Sequence, residues 1–509
     1  MPRLPLIAFF SAALPLAAAL HEPVRVESGL LSGVAGANPA VSVFKGIPFA
    51  APPVGDLRWR PPQPAARWEG VRQAGSFSAA CMQTPYPAGS LYRHEPEPLS
   101  EDCLYLNIWT AADSPGERRP VMLWIHGGGL TRGSGSARIC DGEELARKGV
   151  VLVTINYRLG VFGFLAHPGL TAESAHHSSG NYGFLDQVAA LQWVHRNIAQ
   201  FGGDPGRVTI LGQSAGSWSV NLLMATPLAK GLFHRAIGES GAEFETLPRL
   251  SAAEQAGASF ARSLGADSVS ALRAKSAAEL IATPGPFPGT VFLGNVDGWV
   301  LPQDVHAIFA AGKQNDVPLV VGFNADEGTA FAPRSMTPEI FRWQAGRRFG
   351  NRADAFLKLY PAASADESRA SYAASVRDQT FGWEMRTWAR IETRSGKSKA
   401  YVYYFSRVPP GLAGKVYGAY HAAEIVYVFH NLGLSERPWE PLDRTLADTL
   451  SSYWVNFATN GDPNGQSLPD WPPYDRKTDL VMELGNHIEV QPMPHKPAMD
   501  FFDAWYASR

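Results

Sequence analysis

Gly212-Gln213-Ser214-Ala215-Gly216 places a serine between glycines two residues away on either side. This G-x-S-x-G spacing suits a sharp strand-to-helix turn that lifts a hydroxyl above a sheet edge, where bulkier neighbours would clash. A serine hydroxyl is a weak nucleophile unless a base takes its proton and fixed donors hold the charge that develops on the attacked oxygen. The Gly-rich run His126-Gly127-Gly128-Gly129 supplies such donors: the N–H groups of Gly128 and Gly129, with that of Ala215 after the serine, can converge on one oxygen. The chemistry these residues suit is acyl transfer through a serine. A phosphate-cradling loop is not expected, because neither G-x-x-x-x-G-K-S/T nor G-x-G-x-x-G occurs there.

Positioning such groups requires a rigid frame, and the hydrophobic pattern describes one. Val121–His126 and Val150–Tyr157 are apolar runs without alternation, as expected of strands covered on both faces. Val208–Leu211 reads as a third strand running directly into the serine turn, and Trp218–Met224 as the helix leaving it. Val317–Phe323 and Ala400–Phe405 add two further strands. Phe184–Ala199 has the apolar spacing of an amphipathic helix, and Asp443–Thr459 reads as another, ending at Asn460-Gly461. Strands alternating with helix-length segments predict a doubly wound α/β sheet. No composition break or internal repeat divides the chain, so residues 20–509 are expected to form a single domain.

The 509 residues carry 45 Lys+Arg and 47 Asp+Glu, a formal net charge of −2, which offers no electrostatic footprint for nucleic acid. Hydrophobic residues at 45 % with 18 % charged predict a large core and exclude a mainly disordered chain. Met1-Pro2-Arg3, an uncharged stretch from Leu4 to Leu20 and Ala17-Ala18-Ala19 together have the form of a secretory leader, residues 1–19. Export is the expectation, periplasmic or secreted, with no stable membrane association; Pro5 and Pro15 interrupt a stretch already short for a bilayer. In an oxidising compartment Cys81 and Cys103, 22 apart, are the nearer pair for a disulfide and Cys140 is left over, although sequence alone leaves connectivity open. There is no Cys-x-x-Cys or His-x-x-x-His spacing, so neither a metal nor any other cofactor is expected.

His126-Gly127-Gly128-Gly129 is similar to the oxyanion loop of lipases and esterases. Phe44–Ala50, Ser100–Ile108, Asn156–Gly160, Gly180–Gly183 and Phe201–Pro205 resemble segments of the type-B carboxylesterase/cholinesterase-like family, over nearly the whole mature chain. The resemblance implies an α/β-hydrolase fold, with a central, mostly parallel sheet flanked by helices, and ester hydrolysis through a Ser-Glu-His triad. It assigns the acid to Glu327, in Gly322-Phe323-Asn324-Ala325-Asp326-Glu327-Gly328, with Asp326 the near alternative. It assigns the base to His421, in Gly418–Ile425, ahead of the other downstream histidines His430 and His495. The chain order Ser214, Glu327, His421 is the one expected of this fold. Ser240 matches a family serine that hydrogen-bonds near the triad, Cys81–Cys103 the family's first disulfide, and Arg58–Glu101 an ion pair beside that loop. The implied partner is a small-molecule ester; oligomeric state and the ester's identity are not specified. A non-catalytic binding module of the same family would be expected to lack a triad member, and amide or lactone cleavage by the same apparatus stays open.

Departures narrow the substrate. The family's cholinesterases carry a tryptophan between the two cysteines, whereas Met82–Asp102 holds only Tyr86 and Tyr92 as aromatics. Gln213 stands before the serine where those enzymes have an acid, so a cation–π choline site is not expected. Arg132, three residues after Gly129, borders the same loop. Solvation or pairing with an acid such as Asp141 is the plainer expectation for it, and contact with a carboxylate on the substrate is the sharper one.

Overall fold

The computed structural model describes residues 20, 22–93, 95, 97–245, 247–283 and 292–508; the leader expected at 1–19 lies outside them. Among the described residues the main sheet has eleven strands. In chain order they are β1 (Val34–Ala35), β2 (Ser42–Pro48), β3 (Tyr105–Thr110), β4 (Arg119–Ile125), β5 (Val151–Ile155) and β6 (Gly203–Gln213). The remainder are β7 (Arg235–Glu239), β8 (Leu319–Asn324), β9 (Ala400–Phe405), β10 (Leu480–Leu484) and β11 (Ile488–Pro492). Across the sheet the order is β11-β10-β9-β8-β7-β6-β4-β5-β3-β2-β1. The strands from β4 to β10 are mutually parallel, and β1–β3 and β11 add antiparallel edges.

Burial on both faces explains why the central strands read as unbroken apolar runs: Val121, Leu123, Ile125, Val151, Val153, Ile210 and Val321 are all fully buried. The strand before the serine is longer than its apolar core suggests. β6 begins at Gly203 because Gly203 pairs with Arg119, and an irregularity then shifts register before Val208. The expected helices are α1 (Tyr182–Asn197), α2 (Ala215–Ala225) and α3 (Pro441–Asn460). α3 stops at Gly461, whose φ of 76° closes the helix in the left-handed conformation. The antiparallel strands β2 and β3 are not marked by an unbroken apolar run, because Lys45-Gly46 and Asn107 interrupt their apolar residues.

Candidate active site

The predicted residues lie at the carboxyl ends of parallel strands, where open α/β sheets place their sites. β6 ends at Gln213, and Ser214 turns the chain into α2 with φ 57° and ψ −124°, a conformation costly for a residue bearing a Cβ. The surrounding backbone holds it there: Ser214 N–H donates to the Glu239 carbonyl (2.8 Å), and the Ser214 carbonyl accepts from Trp218 N–H (2.9 Å). Both flanking glycines are steric necessities. A Cβ on Gly216 would run into the Ile125 carbonyl, and one on Gly212 would stand 2.5 Å from the Gly216 carbonyl carbon.

The loop after β4 passes directly over this turn, since a Cβ on Gly127 would lie 3.1 Å from that of Ser214. Gly128 and Gly129 adopt φ 105° and 65°. The Gly128 carbonyl is taken by Thr131 and Arg132 N–H (3.2 and 3.1 Å), whereas the N–H groups of Gly128 and Gly129 donate to no protein group among the described residues. Ala215 opens α2, so its N–H has no acceptor within the helix.

Glu327 follows β8 and His421 lies on the loop before Ile425, 94 residues later, yet His421 Nδ1 donates to Glu327 Oε2 at 2.5 Å. Both side chains are buried. The other Glu327 oxygen accepts Asn324 N–H (2.8 Å). Asp326 turns away from the imidazole. Its carboxylate accepts Ala419 N–H (2.8 Å), and its backbone N–H donates to the Ala419 carbonyl (3.1 Å), pinning the histidine loop. Because Nδ1 is the donor to Glu327, Nε2 is the acceptor, and the Gln213 side-chain amide donates to it at 3.2 Å. The Ser214 hydroxyl, half-exposed, completes no hydrogen bond among the described residues, so the structure brings His421 and Glu327 together but leaves the serine hydroxyl unengaged.

Three aromatic rings among the described residues surround the imidazole, and sequence reasoning names only Tyr92 of the three. Phe381 lies 4.7 Å and Phe331 5.3 Å from its centroid. Tyr92 approaches edge-on at 6.4 Å, and its hydroxyl donates to the His421 carbonyl (3.2 Å). Tyr92 is held within the loop closed by the Cys81–Cys103 disulfide. Arg58 braces that loop through Glu101 (2.5 Å) and the Lys275 carbonyl (2.7 Å). Cys140 is a buried free thiol, pushed up by desolvation. His430 lies on the surface, 3.8 Å from Glu144, well apart from this cluster in its contacts. Arg132 is not paired with Asp141 or with any other carboxylate among the described residues.

Two more buried carboxylates, Glu239 and Glu424, stand near Glu327. Trp454 Nε1 donates to Glu239 (2.7 Å) and Asn324 Nδ2 to Glu424 (2.5 Å), while the second oxygen of each has no partner. Ser240, with φ 56°, is buried beside Tyr403, and its hydroxyl completes no hydrogen bond among the described residues, to the imidazole or any other group. Burial pushes Glu239 up to about 8; burial, then repulsion from Glu239 and Glu327, pushes Glu424 well above the usual carboxylate range. The sign for stability follows. The unfolded chain releases the Glu239 proton near 4.5 but the folded protein holds it to about 8, so the folded state binds more protons in between and loses stability as pH rises through that window. Glu239→Gln should therefore show a smaller drop in Tm between pH 5.5 and 8.5 than the wild type. Parallel Tm-against-pH curves would remove Glu239 from the balance.

No helix among the described residues is long and apolar enough to cross a membrane. Residues 21–502 match the family described as the carboxylesterase family. The chain is 40 % identical to the fumonisin B1 esterase of Sphingopyxis macrogoltabida over 506 residues, covering 94 % of this chain and 89 % of that one. It is 38 % identical to the pig liver carboxylesterase, covering 88 % of this chain and 86 % of that one, and 37 % identical to the human cocaine esterase, covering 89 % and 85 %. With such a match running the length of an α/β-hydrolase sheet, the chain belongs to the carboxylesterase family and is a carboxylic ester hydrolase.

Proposed function

We propose that the protein hydrolyses carboxylic esters by an acyl-enzyme route in which Ser214 is the nucleophile, His421 the base and Glu327 the acid that orients it. The N–H groups of Gly128, Gly129 and Ala215 receive the oxyanion. The observation that carries this reading is the buried 2.5 Å contact between His421 Nδ1 and Glu327, set beside a serine on a strained strand-to-helix turn. With Nδ1 donating to the carboxylate, Nε2 is free to accept a proton. Ser214 Oγ attacks the ester carbonyl as its proton passes to Nε2, and the imidazolium then protonates the departing alcohol. Water, deprotonated by the same nitrogen, cleaves the acyl-enzyme to release the acid and restore the serine. Catalytic hydrogen bonds commonly tighten only with substrate in place, and here the Ser214 hydroxyl must turn toward Nε2, displacing the Gln213 amide. Gln213 carries no charge, so it neither stabilises nor opposes the imidazolium as a carboxylate there would.

Residues 1–19 act as an export leader ahead of a single domain from 20 to 509; the Cys81–Cys103 disulfide suits that destination. Choline esters are poor candidates, because the loop between the cysteines presents Tyr86 and Tyr92 rather than tryptophan. Labelling by a fluorophosphonate tests the scheme: the adduct should map to Ser214, and a protein that hydrolyses esters without labelling there has another nucleophile.

The two adjacent acids separate by role. Glu327→Gln should lower kcat by roughly 10³–10⁴, since the amide no longer holds the correct tautomer or stabilises imidazolium. Asp326→Asn should cost less than about tenfold and act through the Ala419 contact, with KM and thermal stability moving as much as kcat. The opposite ranking in kcat would transfer the acid's role to Asp326.

A further inference from the structure

Among the described residues, Arg132 on the oxyanion loop has no partner of opposite charge. Arg132 N–H donates to the Gly128 carbonyl (3.1 Å), so the residue is built into the same turn that presents the Gly128 and Gly129 N–H groups. Its side chain is held from below. Nε donates to the Thr84 carbonyl (3.1 Å), and the guanidinium lies over the Tyr86 ring, 5.4 Å from its centroid. The Tyr86 hydroxyl stands 3.2 Å from where a Cβ on Gly128 would be. Tyr86 in turn meets Tyr92 (6.2 Å), which meets the His421 ring (6.4 Å). Arg132 therefore stands at one end of an aromatic wall whose other end is the imidazole.

The two terminal nitrogens of Arg132 donate to no protein group, and no carboxylate lies within ion-pair distance among the described residues. Arg58, Arg158, Arg386 and Arg407, all drawn out of water, each meet a carboxylate. Glu97, bonded through its two oxygens to Ser134 and Ser136, is occupied within the same loop. A guanidinium fixed by Nε and by a ring face leaves its outer edge as a two-toothed donor, the geometry that recognises a carboxylate.

Resting on the ester-hydrolase scheme above, we propose that Arg132 makes this enzyme a hydrolase of esters that carry a free carboxylate, pairing with that group while the ester carbonyl occupies the Gly128–Gly129–Ala215 donors. The substrate class is the hemiester of a short di- or polycarboxylic acid, cleaved to the alcohol and the fully ionised acid.

The test compares kcat/KM for the monoethyl and diethyl esters of succinic, glutaric and adipic acids, measured by ethanol release in wild type, Arg132→Gln and Arg132→Lys. For at least one chain length, the ratio of hemiester to diester should fall about tenfold or more in Arg132→Gln, with part of it retained in Arg132→Lys. In the wild type the same ratio should fall between 0.05 and 0.5 M NaCl, a measurement that needs no variant to fold. If Arg132→Gln lowers both esters equally, or the wild-type ratio ignores salt at every chain length, Arg132 does not read substrate charge. Fluorophosphonate labelling of Ser214 in the same preparations keeps the two claims apart. Labelled enzyme with an unmoved ratio overturns this proposal alone, whereas absent labelling overturns the scheme beneath it.

Discussion

Ser214→Ala should lower kcat for a simple ester by on the order of 10⁶, the scale seen when a serine hydrolase loses its nucleophile. Stability should barely change. The hydroxyl completes no hydrogen bond among the described residues, and alanine keeps the Cβ that the turn already tolerates at φ 57°. The backbone contacts that hold the turn, to Glu239 and Trp218, do not involve the side chain. In the proposed scheme the substitution removes the atom that forms the acyl-enzyme, leaving the proposed oxyanion donors and binding surface to supply a small residual rate. Initial rates on p-nitrophenyl butyrate with a parallel thermal melt check this. A variant retaining more than about a thousandth of wild-type kcat with an unchanged melt would place the nucleophile elsewhere.

His421→Ala should do comparable damage, and the double variant with Ser214→Ala should be no worse than either single one, because the two residues act as one unit. Additive losses would mean that they act in separate steps. His430→Ala is the control. That ring lies at the surface near Glu144 and Asp448, at 3.8 and 4.0 Å, and its loss should leave kcat within about twofold. An inactive His430→Ala beside an active His421→Ala would reverse the assignment of the base.

Much of this site is legible in the chain because it rests on short-range sterics. The glycines at 212 and 216 are demanded by backbone within a few ångströms, so a local pattern reports them. The choice between Asp326 and Glu327 is different in kind. Neighbours in sequence, they point to opposite duties, one pinning Ala419 and the other meeting His421, and only resemblance favoured the second before the fold was known. Phe331 and Phe381 carry no signal in the chain, because an aromatic side chain reads the same whether it faces a core or the His421 ring.

Sequence by itself determined five of the parallel strands, the serine turn between its glycines and the Gly-rich loop, since burial on both faces and clashes between near neighbours leave their mark in consecutive residues. Tertiary structure alone decided the rest: which carboxylate meets the imidazole across 94 residues, that Glu239 and Glu424 are driven to hold their protons, and that Arg132 meets Thr84 and Tyr86 instead of an acid. Those outcomes depend on desolvation and on partners delivered by distant segments, and neither charge compensation nor water exclusion exists until the sheet has brought those segments together.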